Sequence, residues 1–263
     1  MRPYFTPSGA VVLIPIRLPV VNVGQDLFSI VARGLRERKL KVERGDILAV
    51  ASKVVSLCEG QVVPLDTVRA SKSAQKLAKK MNMNIQLAAL VTREADRVFG
   101  GVNGFLLTLK NNILTANAGV DLKNSPPGTA TLWPEKPDRS AYVLRKELER
   151  RYRIKIGVMI VDSRVTPLRL GTTGLAVGLS GFYPIADDRG KPDLYGRRIR
   201  VTQLNIADDL AAAAHTLMGE AHEKVGAVII KNAPVKMGES TNSGPVKLAF
   251  TRCLVTRGLC MDK

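Results

Sequence analysis

The sequence predicts an α/β fold of the α+β-like kind, in which mixed sheets are flanked by helices. Apolar runs of strand length mix with amphipathic stretches, without the strict strand–helix–strand order of a doubly wound Rossmann sheet. Of the 263 residues, 45% are hydrophobic, which is enough to bury a sizeable core. No apolar run reaches the roughly 18 to 20 residues of a membrane-spanning helix. We therefore expect one large domain or two closely joined ones.

The first eighty or so residues predict two strands and two helices. Residues 11–16 are an apolar run that ends at a proline-containing loop, which is typical of a strand. Residues 26–38 carry apolar side chains on one side, and this spacing predicts an amphipathic helix. A Gly-Asp turn then leads to a buried strand over residues 47–51. Residues 66–81 predict a basic helix.

The middle of the chain predicts a hairpin, a loop and a long helix. The glycine pair at 100–101 marks a break before two antiparallel strands, over residues 105–109 and 113–116. The proline-rich residues 125–137 predict an irregular surface loop. Asp138 then caps a helix whose apolar side chains recur at helical spacing.

The last part of the chain predicts strands, a glycine-rich stretch and an alanine-rich helix. Residues 156–161 are an uncharged apolar run, as in a central strand. A glycine-rich stretch and a polar loop follow, and residues 199–206 alternate like a half-exposed strand. Residues 207–218 predict a helix, and residues 226–231 predict a further strand.

Charge is the most unusual feature of the composition, because 40 Lys and Arg against 23 Asp and Glu give a net charge of +17. Such a field attracts polyanions: nucleic acid, anionic lipid, nucleotides or a phosphorylated metabolite. Much of the excess lies in residues 33–44, 69–80 and 145–155, where the apolar spacing predicts solvated helix faces. Aromatic residues are only 5% and no recognition motif is present, so a nucleic-acid-binding protein is the weaker alternative.

Cysteine usage and the N-terminal residues bear on the compartment. Cys58, Cys253 and Cys260 cannot all pair and show no CxxC spacing, so neither a disulfide framework nor a zinc site is expected. Prolines at positions 3 and 7 make the N-terminus a poor signal peptide. We expect a cytoplasmic protein with no membrane contact.

Three acidic residues stand out because acids are scarce here. Asp121 follows a strand, Asp162 ends the apolar strand before it, and Glu220 follows the alanine-rich helix. An isolated carboxylate at such a place is most often a cap or turn residue, and that interpretation stays open. Three of them favour a divalent-cation site, with Ser163 as a further oxygen ligand, because Mg²⁺ takes carboxylates together with substrate phosphates. The two histidines lack metal-ligand spacing, which favours core or surface roles, and no Walker, Rossmann or serine-nucleophile motif is present.

Several short motifs occur in a fixed order around these acids. They are Ala51-Ser52-Lys53-Val54-Val55-Ser56, Glu59-Gly60, Asn117-Ala118-Gly119-Val120-Asp121-Leu122-Lys123-Asn124, Asp162-Ser163, Asp193-Leu194-Tyr195-Gly196-Arg197, Ala207-Asp208 and Leu217-Met218-Gly219-Glu220. As an ordered set over residues 14–235, they resemble the coenzyme F420-0:L-glutamate ligase (coenzyme F420 gamma-glutamyl ligase) family.

That resemblance implies an architecture. It implies a gamma-glutamyl ligase-type fold in a single unit of residues 1–263, with two interleaved subdomains as an alternative organisation. The nitroreductase-like extension fused to some bacterial members is not expected. It also implies a homodimer.

The resemblance implies a GTP-dependent ligase that joins L-glutamate to the deazaflavin precursor coenzyme F420-0 through an acyl phosphate. Phosphoryl transfer brings a polyphosphate against a carboxylate, so metal ions and basic side chains must offset the repulsion. It implies catalytic carboxylates at Asp121, Asp162 and Glu220, which with Ser163, in place of the usual threonine, hold Mg²⁺ or Mn²⁺, with room for a monovalent cation. It implies nucleotide contacts at Ile16, Arg17, Leu18, Pro19, Ser52, Lys53, Asn124, Met218, Gly219, Glu220, Ala221, His222, Glu223, Lys224 and Val225. Both large substrates are anionic, which gives the net charge a reason.

The chain departs from the family pattern at two places. Leu57, followed by a cysteine, stands in a run where the ligases usually have a second lysine. Val165, Thr166 and Leu168 replace a Gly-Arg-aromatic pattern after the second acid. We hypothesise that the metal–nucleotide site is intact and the acceptor pocket has diverged. The alternative is a paralogue that ligates a different acid to an amine.

Overall fold

The computed structural model describes residues 9–239 and 241–260, and a five-stranded mixed sheet lies at its centre. The strand order is β1 (Val12–Arg17), β12 (Val225–Lys231), β2 (Ile47–Ala51), β8 (Gly157–Val165) and β9 (Thr172–Ser180). Only β2 and β8 run parallel, and every other neighbouring pair is antiparallel. A doubly wound sheet would be mostly parallel, so the predicted mixed fold is confirmed.

Helices cover both faces of this sheet. On one face lie α1 (Leu27–Glu37) and α5 (Pro137–Tyr152), and on the other lies α6 (Ile206–Met218). Alternate strand residues point to opposite faces, so Leu48 and Val50 of β2 join the first core while the residues beside them join the second. The result is three layers with a core on each side of the sheet.

A smaller unit is inserted in the chain between β2 and β8. Its three-stranded antiparallel sheet consists of β4 (Arg97–Val102), β5 (Phe105–Lys110) and β6 (Ile113–Ala116). The helices α3 (Lys72–Lys80) and α4 (Ile85–Glu94) contribute to a third core at this sheet. This insertion brings the segment after β6 towards the main sheet.

The remaining elements are short. They are α2 (Ser52–Cys58), the antiparallel pairs β3 (Val62–Pro64) with β7 (Thr129–Thr131) and β10 (Ile185–Asp187) with β11 (Gln203–Asn205), and α7 (Leu254–Cys260). Within the described ranges, no helix has the length and apolar character to span a bilayer. The N-terminal prolines lie outside the described residues.

Two predicted elements of the smaller unit differ from the structure. The basic helix begins only at Lys72, because the Ser71 hydroxyl accepts a hydrogen bond from the Ala74 N–H at 3.2 Å and caps it there. The glycine pair at 100–101 does not break the chain but lies within β4, next to a register shift. A glycine at a bulge keeps the strand paired while it bends.

The proline-rich loop and the helix that follows also differ. Residues 125–137 include β7 and the buried Trp133, so this stretch is not wholly a surface loop. Asp138 lies in the first turn of α5 but does not cap it. Its carboxylate instead accepts hydrogen bonds from the N–H groups of Leu179 (2.9 Å) and Ser243 (2.8 Å) and ties three segments together.

The glycine-rich stretch forms β9, and the glycines allow both helical layers to approach it. A Cβ on Gly174 would lie 2.2 Å from the carbonyl oxygen of Ala211 in α6. A Cβ on Gly178 would lie 2.4 Å from the carbonyl carbon of Pro137 in α5. The strand predicted over residues 199–206 is reduced to β11, since α6 already begins at position 206.

One basic residue contradicts the prediction of solvated helix faces. Arg145 is 1% exposed, and its guanidinium contacts Glu149 at 3.1 Å and Glu239 at 3.2 Å. It also donates a hydrogen bond to the Ser180 hydroxyl at 3.0 Å. This cation therefore joins α5, β9 and the C-terminal segment inside the protein.

Candidate active site

A cleft of about 690 Å³ opens where β1 and β2 end and β12 begins. This volume is within the range of small-molecule sites. Apolar side chains and prolines line one part of it, and acids and lysines line another. The predicted residues on its wall are Leu18, Pro19, Ser52, Lys53, Asp121, Asn124, Asp162, Ser163, Met218, Gly219, Glu220, Ala221, His222, Glu223, Lys224 and Val225.

Two of the residues implied as nucleotide contacts do not line the cleft. Ile16 is fully buried in the core between α1 and the sheet. Arg17 is exposed at the end of β1 and is not part of the wall. The backbone of Leu18 does reach the cleft, because its N–H donates to the carbonyl of Lys224 at 2.9 Å.

A tight left-handed turn positions Asp121. Asn117, Ala118 and Gly119 have φ angles of 51°, 53° and 72°, a conformation that is costly for a non-glycine residue. Asp121 then exchanges two backbone hydrogen bonds with Thr131, at 3.0 and 2.9 Å. The turn therefore directs the chain from the small sheet into the cleft.

The Asp121 carboxylate already has a cation beside it. Lys53 Nζ lies 2.5 Å from Asp121 Oδ2, and the same ammonium donates to the carbonyl oxygen of Lys123. The backbone N–H of Lys123 donates to Asp121 Oδ1 at 2.8 Å. Lys53 thus joins the start of α2 to the Asp121 segment.

Asp162 lies inside β8, which continues to position 165, so the prediction that it ends the strand is wrong. The pairing with β9 shifts by one residue just before it, and Val177 of β9 is the extra residue there. Asp162 is half-buried, and its carboxylate lies deep in the cleft, where burial raises its pKa to about 6. The hydrogen bond from the Ser163 N–H (2.6 Å), the nearby polar groups of Ser52 and Trp133, and the charge of Lys53 limit this rise.

Glu220 follows the last turn of α6 and is held by three donors. Its Oε1 accepts from the Thr172 hydroxyl at 2.8 Å and contacts His215 Nε2 at 2.9 Å, while Oε2 accepts from Lys123 Nζ at 3.0 Å. Burial alone would raise the pKa of Glu220, but these hydrogen bonds outweigh it and hold the pKa at about 2. Glu220 is therefore a fixed carboxylate at neutral pH.

Lys123 connects the three acids. Its pKa is raised by the hydrogen bond to Glu220, with further contributions from the charges of Asp121 and Asp162. Among the described residues, no three His, Cys, Asp or Glu side chains already surround a point suited to a metal ion. The ammonium groups of Lys53 and Lys123 stand among the carboxylates instead.

The donor chemistry nevertheless fits a hard divalent cation. Carboxylate and hydroxyl oxygens are the ligands that Mg²⁺ and Mn²⁺ prefer. The raised pKa of Asp162 indicates an acid without a full counter-charge, which a cation would supply. The residues present can therefore hold such an ion once the lysines move away.

Further contacts fix the loops of the cleft. The Asn124 side-chain amide donates to the carbonyl of Ala221 at 2.8 Å. The Glu223 carboxylate folds back and accepts from the Ala221 N–H at 2.9 Å. Gly219 lies beside it with a φ of 71°, a backbone conformation that residues with side chains rarely adopt. The loop after α6 therefore has a defined shape.

The sequence did not predict several residues that the structure places at this site. Lys123, Thr172 and His215 contact Glu220, and Trp133 lies behind Asp162. Lys123 is two residues after Asp121 in one of the motifs described above, so its position in the sequence could have pointed to the site. Thr172 and Trp133 come from distant segments and carry no local signal, whereas His215 lies five residues before Glu220.

Of the departures from the family pattern, Leu57 lines the cleft, whereas Val165 is exposed at the end of β8 and Leu168 is exposed on the connection from β8 to β9. The two groups of departures therefore lie on different surfaces of the protein.

Comparison with known proteins gives a consistent result. The family model described as F420-0:Gamma-glutamyl ligase matches residues 15–232. The chain is 38% identical over 212 residues to the coenzyme F420:L-glutamate ligase of Methanopyrus kandleri, covering 80% of this chain and 82% of that protein. It is 36% identical over 229 residues to the enzyme of that name from Methanocaldococcus jannaschii (86% and 89% covered). It is 34% identical over 231 residues to the coenzyme F420:L-glutamate ligase of Methanothermobacter thermautotrophicus, covering 88% of this chain and 91% of that protein.

Proposed function

Because this chain belongs to the F420-0:gamma-glutamyl ligase family, we propose that it forms an amide between L-glutamate and the deazaflavin precursor coenzyme F420-0 with GTP as co-substrate. The observation that carries this proposal is that Asp121, Asp162 and Glu220, from three distant segments, line one cleft together with two lysines. Acids and cations together on one wall suit a metal-bound polyphosphate.

The chemistry runs in two steps. A carboxylate oxygen of the deazaflavin precursor attacks the terminal phosphorus of GTP. The bond from that phosphorus to the oxygen that bridges it to the β-phosphate breaks, and GDP leaves. The glutamate amine then attacks the carbonyl carbon of this acyl phosphate. The bond from that carbon to the phosphate oxygen breaks, inorganic phosphate leaves, and the amine gives up a proton to solvent. Positioning and charge neutralisation are the main demands on the protein.

The residues of the cleft meet these demands in different ways. Lys53 and Lys123 supply positive charge for the phosphates, and the apolar wall formed by residues 18–23 lowers the amount of water near them. The oxygens of Asp121, Asp162, Ser163 and Glu220 would hold Mg²⁺ or Mn²⁺, which neutralises phosphate charge when bound. A monovalent cation stays a further expectation.

The decisive experiment supplies the purified protein with GTP, Mn²⁺, L-glutamate and coenzyme F420-0. We expect GDP, phosphate and a product heavier by one glutamyl residue, all detected by mass spectrometry. ATP in place of GTP tests the base preference. Absence of both GDP and ligated product would contradict the proposal.

A second candidate, ligation of a different acid, is favoured by one observation. Leu57 lines the cleft, and it is an apolar residue in a run where the ligases usually have a second lysine. A less basic wall recognises a less anionic acid. Release of GDP with another acid, but not with coenzyme F420-0, would support this candidate.

We also propose that the chain acts as a homodimer in the cytoplasm. The connections after β8 and β10 carry large apolar side chains in full solvent, including Leu168, Leu170 and Leu194, and a second copy would cover them. Sedimentation velocity of the protein and of Leu194→Asp tests this, and a monomeric wild type contradicts it. The free thiols of Cys58 and Cys253 suit a reducing compartment.

A further inference from the structure

Trp133 is the single tryptophan of the chain, and its indole N–H has no hydrogen-bond partner. The residue follows β7 closely and is 4% exposed. A buried tryptophan normally has a partner for its N–H, because leaving this donor unpaired is costly. A buried, unpaired donor beside a functional cleft needs an explanation.

Two contacts show where the indole lies. A Cβ on Gly119 would lie 2.3 Å from Trp133 Nε1, so only the absence of a side chain at Gly119 admits the ring. On the other side, Asp162 lies on the face of β8 that also carries Val158 and Ile160, and these two residues pack in one core with Trp133. The indole N–H also lowers the pKa of Asp162, although no regular hydrogen bond joins them. The ring therefore lies between the turn that precedes Asp121 and the acid of β8.

Backbone pairing strengthens this connection. Thr131, two residues before Trp133, exchanges both backbone hydrogen bonds with Asp121. Thr131 therefore contacts Asp121 through its main chain, and the side chain of Trp133 lies near Asp162.

We propose that Trp133 is a positioning residue that sets the spacing of Asp121 and Asp162 for a divalent cation and donates its indole N–H to Asp162 when the cation binds. The inference rests on the proposed function. Carboxylate ligands are commonly oriented by outer hydrogen bonds, and loss of one costs roughly 10- to 100-fold in metal affinity. In this structure Lys53 contacts Asp121, and the indole N–H has no acceptor.

The wild-type protein allows a direct test, because one tryptophan gives one indole N–H signal in an NMR spectrum of ¹⁵N-tryptophan-labelled protein. Addition of Mg²⁺, alone and with GTP, is expected to move the indole proton downfield and to slow its exchange with water. Asp162→Asn should remove the effect. An indole signal that is unchanged at saturating Mg²⁺ overturns the inference.

A variant gives an independent measurement. Trp133→Phe keeps an aromatic ring but removes the donor, and free Mn²⁺ counted by electron paramagnetic resonance should show at least tenfold weaker binding. Phe99→Leu is the matched control, because Phe99 does not line the cleft. Its ring stacks on that of Phe250, with 5.3 Å between the ring centroids. This variant should bind Mn²⁺ like wild type. Equal Mn²⁺ affinity in wild type and Trp133→Phe overturns the inference alone. No Mn²⁺ uptake by the wild type, with or without GTP, overturns the proposed metal site as well.

Discussion

Lys53 and Lys123 place ammonium groups among the acids of the cleft, so these side chains occupy part of the space that a cation needs. Lys53 contacts Asp121 at 2.5 Å, and Lys123 contacts Glu220 at 3.0 Å. Under the proposed function, a bound cation would require the ammonium groups to move, and an incoming polyphosphate would offer them new partners. Such an exchange would let one cleft hold acids for a metal and lysines for an anion.

We predict that Lys53→Met separates metal binding from nucleotide binding. Without the ammonium group, Asp121 loses its counter-charge and attracts a cation more strongly, while the phosphates lose a partner. Titration calorimetry should show Mn²⁺ binding alone tightened several-fold, by roughly 1 kcal/mol, and GTP binding weakened. Lys136→Met, an exposed lysine outside this cleft, is the control. Unchanged Mn²⁺ affinity in Lys53→Met would show that the lysine does not compete.

We predict that Asp162→Asn abolishes ligation but stabilises the fold at neutral pH. The pKa of Asp162 is raised to about 6 in the folded protein, so folding favours the protonated form. The free energy of unfolding therefore falls as the pH rises from about 4 to about 6, and Asn escapes this loss. Urea unfolding should show the variant more stable by about 1 to 2 kcal/mol at pH 7, and not at pH 4. A variant less stable than wild type at pH 7 would contradict the cause assigned to this pKa.

At the residue scale, the sequence offered the acids but not their partners. Asp121, Asp162 and Glu220 stand out in a chain poor in acids, and the structure places all three on one cleft, while their ligand roles stay predictions. His215 lies only five residues before Glu220, but it had no metal-ligand spacing to point to it. Thr172 and Trp133 could not be found, because the acids that they affect lie far from them in the chain. Such contacts depend on tertiary packing, which local spacing does not encode.

At the scale of elements, the glycines of β9 decide how closely α6 packs. A Cβ on Gly174 would lie 2.2 Å from the carbonyl oxygen of Ala211, so Gly174→Ala forces helix and strand apart. We expect the free energy of unfolding to fall by about 1 to 3 kcal/mol, measured by urea denaturation. Because α6 carries His215 and leads to Glu220, ligation should also slow. Gly258→Ala lies in helix α7, where the added methyl meets open space and alanine is the better helix former, so it should not lower the free energy of unfolding and should leave ligation unchanged.

Arg145 predicts a second effect on stability. Arg145→Met leaves Glu149, whose side chain is 10% exposed, without its closest cation. Removing one partner of a buried pair costs about 3 to 5 kcal/mol, and thermal unfolding should reveal a large loss. The exposed pair of Arg33 and Glu37 has the same four-residue spacing, and Arg33→Met should cost less than about 1 kcal/mol. Equal losses would show that burial is not the cause.

Elements with a clear helical period or an uninterrupted apolar run were predicted, and several elements with neither were not. The strands β1, β2 and β12 and the helices α1 and α6 occur within one or two residues of their predicted ranges. By contrast, α4 was missed, and β9 was described only as glycine-rich. In β9 glycine serves close packing between layers, so its low strand propensity concealed a strand buried on both faces.

At the scale of the whole molecule, the charge of +17 predicts a dependence on ionic strength. The dissociation constant for GTP should rise steadily between about 50 and 500 mM salt, because screening weakens the field that attracts anions. Duplex DNA should bind weakly at physiological salt, with a steep salt slope. Nanomolar DNA binding that persists there would instead favour the nucleic-acid alternative.

The insertion of the small sheet between β2 and β8 means that the acids belong to different parts of the protein. Asp121 comes from the end of the inserted unit, whereas Asp162 and Glu220 come from the main sheet and the helix behind it. A molecule that bridges these acids also crosslinks the two parts, and so raises the resistance of the joint to heat and proteolysis. Saturating co-substrate and metal should thus protect most strongly the peptide bonds between residues 117 and 131, which lie where the two parts meet.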